Sequence, residues 1–235
     1  MNPPLFDKPR FRLSGDRALL VYYGAGIDLS VSEKVLAISS LLRRNPPRGV
    51  QAVVPAYRSF AILYDPLLTE PDILKREITS IENSPNNALR PEMQIVTIPV
   101  CYGGELGPDI ATVSSHTGLN PDEIIHIHSA REYPVYMIGF TPGFCYLGGM
   151  DERLRTPRRR TPRVSIPAGS VGIAEMQTGM YPVESPGGWQ IIGKTPLRLF
   201  APERQNPFLY KAGDRIRFQP VSRNEFDRLY VKERS

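Results

Sequence analysis

Six arginines crowd one proline-broken segment and are the most concentrated source of chemistry in the chain. They lie within eleven residues, at Arg153, Arg155, Arg158, Arg159, Arg160 and Arg163. The prolines keep this segment extended, because the residue before a proline avoids the helical conformation. Guanidinium groups form paired hydrogen bonds to carboxylates and phosphates, so the segment predicts an anion-binding site or a docking patch for an acidic partner. A solvated basic loop is the alternative.

A second group of candidate site residues lies on loops shaped by glycine and proline. Polar groups beside apolar strands suit a concave site, in which a few donors orient a ligand against aromatic walls. The members of this group are Gln177, Thr178, Tyr181, Ser185 and Trp189. Completing turns is the alternative role for these residues.

One phosphate-binding pattern is accidental on sequence grounds. Residues 188–195 formally match the P-loop pattern G-x-x-x-x-G-K-[ST]. A phosphate-binding loop of this type leads into a helix, whereas here Trp189, Ile191 and Ile192 alternate like a strand and Pro196 follows. We therefore predict a strand at this position.

Histidine and cysteine chemistry is not indicated. The chain has three histidines, and His126 and His128 stand two apart on a predicted helix, so they point to different faces. No spacing completes a zinc ligand set, so we predict no metal site and place the histidines at the surface or at helix ends. Cys145 lies between aromatic neighbours without an identifiable base, so we expect it to serve packing.

The elements that must position these residues fall into two predicted domains, 1–97 and 98–235. Residues 1–97 hold 4 of the 19 glycines and alternate strand and helix patterns, which predicts a small α+β domain of ferredoxin-like type. Ser30 and Glu33 have the spacing of a helix capping box. Asn120, followed by a proline and by Glu123 at the third position, predicts the start of another helix. After Tyr133 the chain shows short strands with turn signals every 8 to 12 residues, which is typical of a β-barrel or sandwich. The predicted strands include 197–200 and 215–218, the latter closing the barrel.

Composition excludes several functional classes. The net charge is +5 and no second basic stripe with stacking aromatics accompanies the arginines, so nucleic-acid binding is not expected. No apolar run reaches the roughly 18 to 20 residues of a membrane span. Two cysteines and no leader-like apolar stretch predict a cytoplasmic protein without disulfides.

Six ordered motifs, with one further match upstream, resemble a known family. They are Gly139–Leu147, Pro157-Arg158 with Pro162-Arg163, Pro167–Val171, Gln177–Gly179 with Tyr181-Pro182, Ser185–Trp189 and Gly193–Pro196, with Tyr102–Asp109 upstream. Together they resemble the family named allophanate hydrolase subunit 1, KipI or the 5-oxoprolinase B subunit. Small departures occur at Cys145, where Pro or Ala is expected, at Glu175, where Gly is commoner, and at Lys194, where Arg or His is usual.

The resemblance implies a cyclophilin-like β-barrel behind the N-terminal domain and a role in a heteromeric complex. The implied partners are the homologous, KipA-like C subunit of the enzyme and its A subunit. The implied reaction is ATP-dependent opening of 5-oxoproline to glutamate. KipI-like inhibition of a histidine kinase by binding is the alternative.

For the enzyme, we assign ligand contacts by residue type and loop context, and leave the catalytic residues unassigned. Arg158 and Arg163 would contact anions, and Gln177, Thr178 and Tyr181 would orient the substrate. Phe140, Phe144 and Trp189 would form the walls.

Overall fold

The computed structural model describes residues 5–26, 28–83 and 93–234. They form two compact units that divide between Met93 and Gln94, slightly before the predicted boundary between residues 97 and 98. The difference arises from strand β5 (Ile95–Tyr102), which pairs with a strand near the end of the chain and therefore belongs wholly to the second unit.

The first unit is a four-stranded antiparallel sheet with two helices. Its strands are β1 (Leu5–Leu13), β2 (Ala18–Gly24), β3 (Val50–Pro55) and β4 (Ser59–Tyr64). They run in the spatial order β1-β2-β4-β3. The helices are α1 (Leu29–Arg44) and α2 (Pro71–Asn83). The order along the chain is ββαββα, whereas a ferredoxin-like domain follows βαββαβ. The ferredoxin-like class stays a prediction.

Apolar side chains that alternate along the strands form the core of this unit. Leu19, Val21 and Tyr23 all face one side of the sheet, as period-2 side-chain geometry requires, and both helices pack there. Helix α1 begins earlier than predicted, because the Asp28 side chain accepts a hydrogen bond from the backbone N–H of Ser30 at 2.8 Å. The predicted capping box starting at Ser30 is therefore wrong, and Asp28 is the cap.

The second unit is a closed seven-stranded barrel with a two-stranded sheet attached. The barrel strands follow the spatial order β10-β7-β6-β13-β5-β12-β9, and β10 pairs with β9 to close it. Besides β5, they are β6 (Glu132–Ile138), β7 (Cys145–Leu147), β9 (Ser170–Ala174), β10 (Gln177–Met180), β12 (Gln190–Lys194) and β13 (Arg215–Pro220). The separate sheet contains β8 (Arg163–Ile166) and β11 (Ser185–Gly187). The barrel prediction is confirmed, and its cyclophilin-like class stays a prediction.

Strand β13 is the last barrel strand in the chain, and it lies between β5, the first barrel strand, and β6. It pairs in parallel with β5 and antiparallel with β6, so the strand predicted at 215–218 forms part of the closed barrel and extends to Pro220. The predicted strand at 197–200 is wrong, because only an isolated bridge between Phe200 and Phe208 forms there. Pro196 lacks the N–H that a ladder needs.

Three helices accompany the barrel. They are α3 (Ile110–Thr117), α4 (Pro121–Ser129) and α5 (Arg223–Lys232). Helix α4 has the expected start, since Asn120 and Glu123 form a reciprocal capping box. Among the described residues, no helix has the length and apolar character needed to cross a membrane.

Candidate functional site

Four aromatic rings meet on the outside of the barrel, and we call this group the aromatic cluster. Its members are Phe144, Tyr146, Tyr181 and Trp189. The Phe144 ring is central, with its centroid 5.2 Å from that of Tyr181 and 5.5 Å from that of Trp189, in edge-to-face geometry. Met180 faces the barrel interior, so its neighbour Tyr181 faces outward. The structure thus brings three sequence-predicted site residues together.

Two strand glycines leave room for the Trp189 side chain against the barrel. A Cβ atom at Gly179 would lie 2.7 Å from the carbonyl oxygen of Cys145 and 3.1 Å from the Trp189 ring. A Cβ atom at Gly172, on the neighbouring strand β9, would lie 3.2 Å from the Cβ of Trp189. Both positions therefore need a residue without a side chain for the indole to pack as it does.

Phe140 lies at the rim of the aromatic cluster and faces solvent. Its ring centroid is 5.5 Å from that of Phe144, and 62% of its surface is exposed. Its φ of 73° falls in the left-handed region, which bulky side chains rarely adopt. The Tyr210 hydroxyl donates a 2.8 Å hydrogen bond to the carbonyl oxygen of Gly143 and anchors the loop. This loop holds an aromatic side chain outward at a cost in backbone strain.

A buried carboxylate fixes the arginine segment, and the sequence analysis missed it. Asp109 accepts two hydrogen bonds from Arg163, at 2.7 and 2.8 Å, and one from Arg159 at 3.1 Å. The backbone N–H of Ile191 donates a fourth, at 2.6 Å. Asp109 itself is 2% exposed. We call Asp109, Arg159 and Arg163 the carboxylate clamp. A buried aspartate opposite a basic loop is a tertiary pairing, for which the sequence offers no local signal.

The clamp corrects the role predicted for Arg163. Both terminal nitrogens of its planar guanidinium donate to the Asp109 carboxylate, and that pairing raises the pKa of Arg163. Arg163 therefore holds the segment in place and is not a free anion contact.

Arg158 is the predicted anion contact that stays available. It is exposed and makes no hydrogen bond or ion pair with any residue in the described ranges. Burial raises the pKa of Tyr181 to about 12, and the nearby charge of Arg158 is one of the influences that oppose this rise. Burial also raises the pKa of Tyr146, and the charge of Arg158 opposes that rise. A free cation thus stands beside the two tyrosines of the aromatic cluster.

The remaining arginines of the segment are dispersed. Arg153 pairs with Asp151 at 3.0 Å, and Arg155 lies 3.6 Å from Glu175. Glu175 adopts a φ of 51°, which explains why glycine suits this position better. The six arginines are therefore not one basic patch.

Thr178 belongs to the barrel interior, which corrects its predicted role in orienting a ligand. Its hydroxyl lies 2.8 Å from Nε2 of His128 and donates to the carbonyl oxygen of Gly172 at 3.1 Å. Nδ1 of His128 lies 2.8 Å from the Tyr102 hydroxyl, and the imidazole stacks on Phe218. Thr178 and His128 are fully buried, so Thr178 cannot reach a ligand on the outer face.

His128 lies in the last turn of α4, as the helix-end expectation had it, and its side chain is buried in the core. Burial lowers its pKa to about 3, so the imidazole is neutral at physiological pH. His126, two residues earlier on α4, is exposed, in agreement with the different faces predicted for the pair. Tyr102 and Thr178 supply hydrogen-bond partners for both nitrogens of His128, so this imidazole is buried in the apolar barrel interior with its polar atoms paired.

Gln177 stays compatible with its predicted role. It begins β10 opposite Ala174 and is partly exposed. The period of the strand places Gln177 and Tyr181 on the same face, although Gln177 lies at the far end of that strand.

Two further predictions concern nucleotide and thiol chemistry. The P-loop-like segment is strand β12, whose Gly193 and Lys194 pair with β5 and β9, so its backbone N–H groups do not form a phosphate cradle.

Cys145 is buried, and burial raises the pKa of its thiol to about 11, which leaves it unreactive. Within the part of the chain that the structure describes, no three His, Cys, Asp or Glu side chains cluster to hold a metal ion.

Residues 9–210, which contain both the aromatic cluster and the carboxylate clamp, match a known protein family. Its description is "Carboxyltransferase domain, subdomain C and D". The match places the chain in this class of carboxyltransferase subdomains.

Within this class, the chain belongs to the family of 5-oxoprolinase B subunits, as the motif resemblance predicted. It is 42% identical over 222 residues to the 5-oxoprolinase B subunit of Bacillus subtilis (strain 168), covering 90% of this chain and 92% of that protein. It is 41% identical over 214 residues to the Escherichia coli O157:H7 protein of the same name, covering 91% and 97%.

A solved structure also resembles this chain. The crystal structure of TTHA0988 superposes with a TM-score of 0.79 at 35% identity and covers 88% of this chain. The chain spans 40% of the TTHA0988 chain, so that protein contains a large additional part.

Proposed function

We propose that this chain is the B subunit of a bacterial, cytoplasmic, ATP-dependent 5-oxoprolinase, which converts 5-oxo-L-proline to L-glutamate. The observation that carries the proposal is the 42% identity to a 5-oxoprolinase B subunit over nearly the full length of both chains. The relatives carry the name of the enzyme subunit, and no feature of the described residues favours the alternative of a histidine-kinase inhibitor.

The chemistry of the reaction explains what such a subunit would contribute. A five-membered lactam is an unreactive amide, and phosphorylation of its carbonyl oxygen by ATP would supply a good leaving group. Since β12 offers no phosphate cradle, we place ATP binding elsewhere in the assembled complex. This chain would then bind and orient an anionic group and exclude water from it.

We assign the ligand contacts to the outer face of the barrel. Arg158 would bind a carboxylate or phosphate, because it is exposed and has no counter-ion among the described residues. Gln177, which is partly exposed, would orient the ligand, and Tyr181, which is buried in the aromatic cluster, would support the wall from beneath. Phe140 would form the exposed edge of the apolar wall, and Phe144 and Trp189, which are buried, would pack behind it. The carboxylate clamp would hold the arginine segment over this wall.

The complex would need two further proteins, the homologous KipA-like C subunit and the A subunit. Relatives are named as one part of a multi-subunit enzyme, and the related TTHA0988 chain extends well beyond the region it shares with this one. We therefore expect the isolated chain to be inactive.

Co-purification and product formation test the proposal. A tagged form of this chain, co-expressed with the A and C subunits, should retain both partners. The purified complex should form glutamate from 5-oxoproline only when ATP is present. The control is the pair of A and C subunits without this chain. Failure to co-purify, together with full activity of that pair, would contradict the proposal.

A further inference from the structure

The segment that carries Arg158 is held by backbone hydrogen bonds on both sides of this residue. The N–H of Glu175 donates to the carbonyl oxygen of Thr156 at 2.7 Å, and the N–H of Arg159 donates to the carbonyl oxygen of Gly188 at 2.8 Å. Arg158 lies between these two bonds, is exposed and makes no hydrogen bond with any residue in the described ranges. A fixed backbone below an unpaired guanidinium is the arrangement of a preorganised contact.

The side chain of Gln190 holds the segment at a third point. Its Nε2 donates to the carbonyl oxygen of Pro157, directly before Arg158, at 2.9 Å. Gln190 is 4% exposed. Its neighbours Trp189 and Ile191 both face the aromatic cluster, so Gln190 faces the other side of strand β12. This hydrogen bond therefore ties the residue before Arg158 to a strand of the barrel.

A glutamine at this position lowers stability, which indicates a role other than folding. Its Oε1 is buried and accepts no hydrogen bond from the residues that the structure describes. An unpaired buried carbonyl oxygen is destabilising, and an apolar side chain of similar length would avoid this loss. Ile173, the residue that pairs with Gln190 on β9, belongs to the apolar core of the barrel. What the amide adds is the hydrogen bond to Pro157.

We propose that Gln190 is a positioning residue for Arg158. By holding the carbonyl group that precedes Arg158, it fixes the backbone from which the guanidinium reaches an anionic group of the ligand. Positioning of this kind reduces the entropy lost on binding, so its removal weakens the contact although the charge is still present. This inference rests on the proposed function, in which Arg158 contacts that group.

Gln190→Met tests the inference first on the full chain without its partners. Met matches the length of Gln and removes both polar atoms, and water can replace the lost bond at the exposed Pro157, so the variant should melt no lower than the wild type. In NMR relaxation, the order parameter of the Arg158 amide should fall from about 0.85 toward about 0.6. The Arg159 amide keeps its own backbone partner and should stay ordered. Gln190→Leu should reproduce these results, and Gln219→Met, an exposed change on β13, should alter neither amide.

The complex with the A and C subunits gives the second measurement. Gln190→Met should lower kcat/KM for 5-oxoproline by roughly three- to tenfold, which is less than the loss from Arg158→Ala, because the charge is displaced and not deleted. In an Arg158→Ala background, Gln190→Met should cause no further loss, since a positioning residue acts only through its target. A residue that served folding alone would not show this dependence on Arg158.

Each contrary result is decisive. An unchanged order parameter of the Arg158 amide in Gln190→Met, or a lower melting temperature, would overturn the inference whatever the activity. Wild-type kcat/KM in Gln190→Met, or a loss that persists in the Arg158→Ala background, would also overturn it. If the wild-type complex shows no 5-oxoproline-dependent hydrolysis, the proposed function fails, and the Arg158 amide then decides whether Gln190 positions this residue.

Discussion

At the scale of single residues, the chemistry of this chain depends on which side chains are sealed and which are free. Arg158 and Arg163 look alike in the sequence, each following a proline. The structure separates them, because Arg163 is held by Asp109 and Arg158 faces solvent. Residue type predicted that the segment could bind anions. Tertiary partners decide which arginine does so.

The buried histidine makes stability depend on pH. His128 is neutral in the folded state with a pKa of about 3, whereas in the unfolded chain its pKa is about 6.5. Between these values the unfolded state binds more protons, so the free energy of unfolding should fall as pH falls. The slope contributed by His128 should approach about 1.4 kcal/mol per pH unit below the unfolded pKa. Urea unfolding at several pH values between 7.5 and 5 measures it.

Two variants provide the controls for this pH dependence. His128→Gln should lower stability at pH 7.5, where the neutral imidazole keeps its hydrogen bonds, and should reduce the slope, since the titrating group is gone. His126→Gln removes an exposed histidine from the same helix and should leave the slope as in the wild type. An unchanged slope in His128→Gln would show that this histidine is not buried in its neutral form.

At the scale of elements, glycine spacing shapes the outer face of the barrel. Gly179→Ala places a methyl group against the Cys145 carbonyl and the Trp189 ring. We expect a loss of about 1 to 3 kcal/mol in the free energy of unfolding, the range for overpacking. Gly188→Ala is the matched control, because a Cβ there has its nearest neighbour at 3.7 Å. Equal stability of the two variants in urea unfolding would contradict the packing described for Trp189.

The carboxylate clamp holds the arginine segment, so we expect the segment to lose order when Asp109 is neutralised. Asp109→Asn keeps the size of the side chain but removes the charge that holds Arg159 and Arg163. Trypsin should then cut at Arg158 or Arg160 several-fold faster, because the segment opens more often. Asp122→Asn, an exposed change at the start of α4, should leave cleavage unaltered. Unchanged cleavage in Asp109→Asn would mean that the clamp does not hold the segment.

Much of this element-level arrangement could be predicted from the sequence, and the exceptions have physical reasons. The long alternating strands and the capping box at Asn120 were found because their signals are local. Strands β7, β10 and β11 were missed, because segments of three or four residues carry too little periodicity, and β10 and β11 also contain glycine or proline. Three of the four rings of the aromatic cluster were predicted by residue type, and Tyr146 was not. Asp109 was missed because its partners lie some fifty residues away.

At the scale of the whole molecule, each of the two compact units has its own buried core, and the candidate site lies entirely in the second. Arg158, the aromatic cluster and the carboxylate clamp all belong to the barrel unit. Phe144, Tyr181 and Trp189 are buried beneath this face, whereas Arg158 and Phe140 are exposed on it. These features suit a protein that completes a site only within an assembly.

The most direct test measures 5-oxoproline-dependent ATP hydrolysis by the complex of this chain with the A and C subunits of the enzyme. With the wild-type chain, hydrolysis should depend on 5-oxoproline. With Arg158→Ala, kcat/KM for 5-oxoproline should fall by roughly tenfold or more, since a charged contact is lost. Arg160→Ala should behave as the wild type, and omission of the chain should abolish turnover. Full 5-oxoproline-dependent hydrolysis without this chain, or with Arg158→Ala in it, would contradict the function and the anion contact respectively.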